Sequence, residues 1–211
     1  MPTILACIDA SAAARPVLQT AVALGKTLGL PVAALHVHQD GEVESPRQLA
    51  DAAGVQLRVA TGAPIDTITA ALADDQIALG VLGVRGLPGG RRPAGHTALA
   101  VARQVAMPLV VVPPVPRDPP PAGLHRVLVP LDGTVTAAQA VQQATGWFAS
   151  SGVEVVALHV FDATTVPRFW DRPQYNHDAW GEEFLARWCP TPSARLELRA
   201  GRPGGRVLEV A

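Results

Sequence analysis

Cysteine is scarce in this chain. Two residues in 211, Cys7 and Cys189, do not make a disulfide framework, and their scarcity fits a reducing cytosol. Cys7 sits within an apolar run and reads as a small buried core residue. Lysine is almost absent: Lys26 stands alone against 16 arginines, which with the abundance of Ala, Gly, Pro and Val suggests a GC-rich coding sequence more than a functional choice. An excess of either charge is also missing. The formal net charge of −1 excludes the basic footprint expected of a nucleic-acid or anionic-membrane binder. No apolar stretch approaches the roughly 20 residues of a membrane span. Met1-Pro2-Thr3 runs straight into a strand-like segment, without the basic and apolar regions of a signal peptide. These absences point to a cytoplasmic protein whose partners are neither nucleic acid nor membrane.

What is present is apolar material for a core: 48% hydrophobic against 17% charged residues. The length suits one large or two small domains. Residues 3–8 (TILACI) form a short apolar run with a charge at its end, the pattern of a buried parallel strand. Ser11 is placed to cap a helix, and Val17, Leu18, Ala21, Val22, Leu24 and Leu28 then recur at helical spacing up to Gly29 and Pro31. Strands follow at 32–38, 55–60, 77–82 and 109–112, with helices at 45–53, 64–73 and 97–105 between them. Strands alternating with helices predict an α/β fold, a five-stranded parallel sheet sandwiched by helices. The proline run of residues 113–123 then reads as a semi-rigid linker.

The pattern restarts after that run. Asp132 lies 123 residues after Asp9, and His159 lies 123 residues after His36, each inside a matching segment (ILACIDAS with VLVPLDGT, ALHV with ALHV). Leu196, Gly201 and Pro203 match Leu57, Gly62 and Pro64 at an offset of 139, so the second copy carries a 16-residue insertion in the Trp-rich stretch 169–190. The expected organisation is a first α/β domain at 1–114, a linker at 115–123 and a second, C-terminally incomplete domain at 124–211. On this alignment the second copy stops inside its third helix, either as a truncated gene product or with another chain supplying the missing strands. All four tryptophans (147, 170, 180 and 188) fall in this copy. Packing of its helices is their plainest role, with Trp170 and Trp180 open to a partner surface.

The stretch from Gly83 to Thr97 carries most of the chemical information. It leaves a strand, passes Gly86, Gly89, Gly90 and Gly95 among Arg85, Arg91 and Arg92, and enters a helix. Glycines let backbone N–H groups approach a ligand, and the helix start adds a positive dipole end, which suits a polyphosphate. A solvated surface loop would carry the same residues. Asp9 and Asp132 at strand tips fit ribose hydroxyls, a metal-bound water or plain helix capping. Gly25-Lys26-Thr27 imitates the end of a P-loop, but Thr20 stands where its first glycine is required. His36 and His159 repeat at a strand end, where packing or hydrogen bonding is a plainer role than catalysis. His38 lies near the same edge without an assigned partner. His177 and Cys189 lack metal-ligand spacing.

The Asp after the first strand, the Leu-His-Val of the second and the Gly-x2-Gly loop before a helix and a Val-rich last strand resemble the universal stress proteins. The resemblance covers both copies and implies a Rossmann-like fold with an adenine-nucleotide pocket. ATP-binding members carry Gly-x2-Gly-x9-Gly-Ser/Thr. Here Gly83 and Gly86 match the opening, only residues 87–94 separate Gly86 from Gly95, and His96 takes the hydroxyl position with Thr97 one place later. That departure bears on ATP affinity, not on the fold. By resemblance, Asp9 contacts the ribose–adenine side and the Val37 backbone binds the adenine edge. Gly83, Gly86, Gly95 and His96 or Thr97 cradle the phosphates of ATP, with Mg2+ as its companion ion. Asp132 and Val160 mark the half-site of the second copy, which lacks a phosphate loop. The same resemblance implies pairing through the last strand as a homodimer, a role in regulating stress responses, and at most slow ATP hydrolysis. A dimerising scaffold that binds no nucleotide is the alternative.

Overall fold

The computed structural model describes residues 2–38, 43–84, 96–113, 124–161 and 177–211, with side chains from 181 onward in the last span. The chain divides into two compact units, Met1–Leu124 and His125–Ala211.

Unit 1 alternates strand and helix: β1 (Thr3–Ile8), α1 (Ala14–Leu28), β2 (Val32–His38), α2 (Glu44–Ala52), β3 (Gln56–Thr61), α3 (Pro64–Leu72), β4 (Ile77–Gly83), α4 (His96–Gln104) and β5 (Leu109–Val112). Apart from the start of α1, each lies within about a residue of the span that periodicity predicts, the usual uncertainty of element ends. All neighbours are parallel, in the order β3-β2-β1-β4-β5. β1 is therefore central, and the order reverses between it and β4.

Helices cover the two faces because parallel strands, buried on both sides, need apolar cover above and below. On one face α1 buries Ala14, Val17, Leu18, Ala21 and Leu24 against β1, β2 and β4, beside α2. On the other, Ile68 and Leu72 of α3 and Val101 of α4 cluster with Leu5, Ala33, Leu35 and Leu82. Ile4 and Leu5 are both 0% exposed. Burying a side chain of that size stabilises by roughly 1.5–3 kcal/mol.

The end of α1 shows why Gly25-Lys26-Thr27 is no phosphate loop. These residues form the helix's last turn, where the Leu30 N–H donates to the Gly25 carbonyl at 3.0 Å and Gly29 turns the chain at φ 66°. A Cβ on Gly25 would stand 2.5 Å from Val32 Cγ2, so glycine is needed for the helix to approach the next strand.

Unit 2 runs β6 (Arg126–Pro130), α5 (Val135–Ser150), β7 (Glu154–Phe161), α6 (His177–Trp188), β8 (Arg195–Ala200) and α7 (Pro203–Val210). Its strands form a parallel sheet in the order β6-β7-β8. Val129, Leu131, Val155 and Ala157 pack with Phe184 and Cys189 from the α6 side. Trp188 joins this cluster, as the helix-packing role of the tryptophans anticipates; Trp170 and the side chain of Trp180 lie outside the described residues. Among the described residues β6 has one strand neighbour where β1 has two.

Gly80 tests the β4 packing. A Cβ there would meet Leu109 Cδ2 at 2.6 Å and Leu72 Cδ2 at 2.8 Å. Gly80→Val is expected to destabilise unit 1 by about 1–3 kcal/mol in a denaturant melt. Wild-type stability in that variant would contradict the contact of β4 with β5 and α3.

Candidate functional site

A parallel sheet delivers the C-terminal ends of all its strands to one edge, and a crevice opens there where strand order reverses. In unit 1 that crevice is a cleft of about 680 Å³. Asp9 reaches it from the end of β1, Val37 from β2, Gly83 from β4, and His96 and Thr97 from the start of α4. Five of the residues singled out by sequence thus line one cleft. Gly86, Gly95 and the three arginines of the loop lie outside the described residues.

The floor is apolar and the rim polar. Cys7, Leu35, Ile68 and Leu82 lie among the lining residues, with Pro64 at the first turn of α3. The first turn of α4 lines the cleft and carries no acidic residue to offset the positive end of the helix dipole. Val17 of α1 sits beneath the exit of β4: a Cβ on Gly83 would stand 3.2 Å from Val17 Cγ2.

Cys7 differs from its sequence reading. It is half-buried and lines the cleft instead of being sealed in the core. Strand alternation puts it on the Leu5 face, at the edge where that face opens. Burial of the thiol pushes its pKa up to about 12, so it presents a neutral S–H at neutral pH.

Asp9 is held by two hydrogen bonds. Its Oδ1 accepts from the Ser11 N–H at 2.9 Å and the Ser11 hydroxyl at 2.6 Å. Ser11 consequently does not cap α1 as its position suggests. The helix starts three residues later, and the Ser11 hydroxyl accepts from the Ala13 N–H within the preceding turn. Asp9 thus shapes the loop and keeps Oδ2 for another partner.

Unit 2 repeats this turn. Asp132 Oδ1 accepts from the Thr134 N–H at 2.9 Å and the Thr134 hydroxyl at 2.7 Å, while Thr134 itself caps α5. His36 Nδ1 lies 3.0 Å from the Ile8 carbonyl and His159 Nδ1 lies 2.8 Å from the Leu131 carbonyl. Beside the Asp132 turn, however, stand aromatics of α6. A Cβ on Gly133 would come 3.7 Å from Phe184 Cε2 and 4.0 Å from Trp188 Nε1.

The Thr134 hydroxyl, and then its N–H, hold the Asp132 carboxyl below its ordinary value. A depressed folded-state pKa favours the fold above the unfolded value of about 3.9, and that contribution disappears as pH falls through the lower folded value. Thr134→Ala is expected to move the NMR-detected titration of Asp132 upward. An unchanged midpoint would rule out the hydroxyl as its cause.

The chain is similar in structure to a universal stress protein from Archaeoglobus fulgidus DSM 4304, at 18% identity and a TM-score of 0.65, covering 99% of this chain and 82% of that one. It is similar to a protein of unknown function from Pseudomonas aeruginosa PAO1 at 12% identity and a TM-score of 0.63, covering 100% of this chain and 78% of the other. A universal stress protein in complex with cAMP aligns at 20% identity and a TM-score of 0.47 over 54% of this chain and 98% of its own. No protein-family model and no curated protein matches the sequence. The first two likenesses show that the chain has the fold of these proteins.

Proposed function

We propose that the chain is a universal stress protein whose first unit binds an adenine nucleotide, ATP with Mg2+, and whose role is regulatory. The observation that carries this reading is the meeting of Asp9, Val37, Gly83, His96 and Thr97 in one cleft at the strand-order reversal. The cleft's volume, about 680 Å³, falls within the roughly 300–1,000 Å³ of small-molecule pockets.

The chemistry of the lining fits the ligand. The floor formed by Cys7, Leu35 and Leu82 offers apolar surface to a purine, and the backbone at Val37 offers its edge hydrogen-bonding groups. Asp9 Oδ2 is left for the ribose hydroxyls. The start of α4, with His96 or Thr97 and the Gly83 backbone, supplies N–H and side-chain donors to phosphate. The bound nucleotide would supply a charged, exchangeable group by which the state of the cleft is read. At most slow hydrolysis of the bound ATP belongs to this reading.

The structural repetition of the Asp turn and the histidine contact supports a duplicated unit, of which only the first carries the glycine loop in its sequence. A cytoplasmic homodimer, pairing through β5, belongs to the same proposal. Val111 of that edge strand is 44% exposed, an apolar position that a second copy would cover. The same exposed strand favours the alternative, a dimerising scaffold that binds no nucleotide.

Titration with Mg-ATP separates the two. A ligand at 100 times its dissociation constant stabilises by about 2.7 kcal/mol, visible as a raised melting temperature. Gly83→Val is expected to abolish the rise, because the added side chain fills the backbone's approach and crowds Val17. Asp132→Ala is expected to leave it unchanged. No rise at millimolar ATP would reject nucleotide binding and leave the scaffold.

A further inference from the structure

His36 is 4% exposed and is absent from the lining of the cleft, yet it touches the segment that forms it. A carbonyl oxygen only accepts, so His36 Nδ1 carries the proton and donates it to the Ile8 carbonyl at 3.0 Å. Nε2 is buried without a hydrogen-bond partner. Leucine would fill such a place without burying an unpaired ring nitrogen, but it would take this donor from the Ile8 carbonyl. What histidine adds is the single Nδ1–H bond.

That bond falls where β1 leaves the sheet. Ile8 is the last residue of β1 and pairs with His36 across the ladder. Its carbonyl belongs to the peptide that leads into Asp9, and Ile8, Asp9 and Ser11 all line the cleft. Holding that carbonyl fixes the plane of the Ile8–Asp9 peptide. The plane in turn fixes the direction of Asp9, whose Oδ1 is already committed to Ser11. Unit 2 makes the same contact over the same 28-residue separation, from His159 to the carbonyl before Asp132, which argues that the contact belongs to the Asp turn.

We propose that His36 is a positioning residue for the nucleotide cleft: its Nδ1–H locks the Ile8–Asp9 peptide so that Asp9 is aimed at the ribose. This rests on the reading of unit 1 as a nucleotide site. His159 holds the equivalent turn in unit 2 and plays no part in binding.

The test uses the full chain with His36→Leu, His36→Asn, His36→Gln and His159→Leu. Two quantities are read: the dissociation constant for Mg-ATP, and the amide exchange rate of Ser11 without nucleotide. Asn places its Nδ2–H at the same bond separation as histidine Nδ1–H, whereas Gln places its donor one carbon further out. His36→Leu and His36→Gln are expected to weaken ATP binding on the order of tenfold, the equivalent of one hydrogen bond, and to speed Ser11 exchange. His36→Asn is expected to stay within about twofold of wild type in both. His159→Leu is expected to leave ATP affinity unchanged. In an Asp9→Asn background, His36→Leu is expected to cost nothing further in affinity, because it acts through Asp9. Wild-type affinity in His36→Gln, equal losses in the Asn and Gln variants, or an equal loss in His159→Leu would overturn the proposal; the Gln variant decides if the Leu variant does not fold. Should the wild type bind no ATP, the functional reading falls, and Ser11 exchange alone judges the contact. Faster exchange in Gln but not in Asn supports it, and equal rates refute it.

Discussion

β1 carries a parallel neighbour on each side, and the place of every group in the cleft follows from that pairing. Parallel pairing forces crossovers, and the crossovers put helices on both faces. The central strand can then be apolar throughout, which is why Ile4 and Leu5 are sealed while Asp9 emerges only at the end. Because β2 leaves on one side and β4 lies on the other, the ends of the three strands diverge around a gap. The starts of α3 and α4 close that gap from above the same edge. The fold thus brings an apolar floor, a carboxylate and a helix dipole together without any one segment encoding the combination.

The two units separate what belongs to the turn from what belongs to the cleft. Both hold an Asp by a following Ser or Thr, and both pin the preceding carbonyl with a histidine. These contacts need only two neighbouring strands, β1 with β2 or β6 with β7. The cleft needs β4 and α4 as well. Unit 2 instead sets Phe184 and Trp188 against its Asp turn. The same local motif thus recurs in the two units beside different neighbours.

Much of this was legible in the sequence. The period-3.6 and apolar runs mark the elements of unit 1, and the offset of 123 residues pairs Asp9 with Asp132 and His36 with His159. Strand order was not legible from periodicity. It is a property of crossovers, and only the family resemblance implied the sheet arrangement. For that reason Cys7, Pro64 and Ile68 were missed as cleft residues: each is apolar and locally ordinary, and only the order β3-β2-β1-β4-β5 opens their positions to the edge. Ser11 departs from its position's promise for a different reason. A Ser before a helix suggests a cap, but the nearer Asp9 carboxylate takes its hydroxyl and delays the helix. Gly86 and Gly95, the strongest sequence signal for phosphate, lie outside the described residues and rest on the sequence alone.

The proposed nucleotide site lies in unit 1, at the edge where β1 and β4 part. Backbone amide NMR shifts recorded while Mg-ATP is added locate the ligand residue by residue. Saturable shifts are expected at Asp9, Ser11, Val37, Gly83, His96 and Thr97, with Asp132, Thr134 and Val160 unmoved. Equal shifts at the two Asp turns, or shifts confined to unit 2, would contradict it.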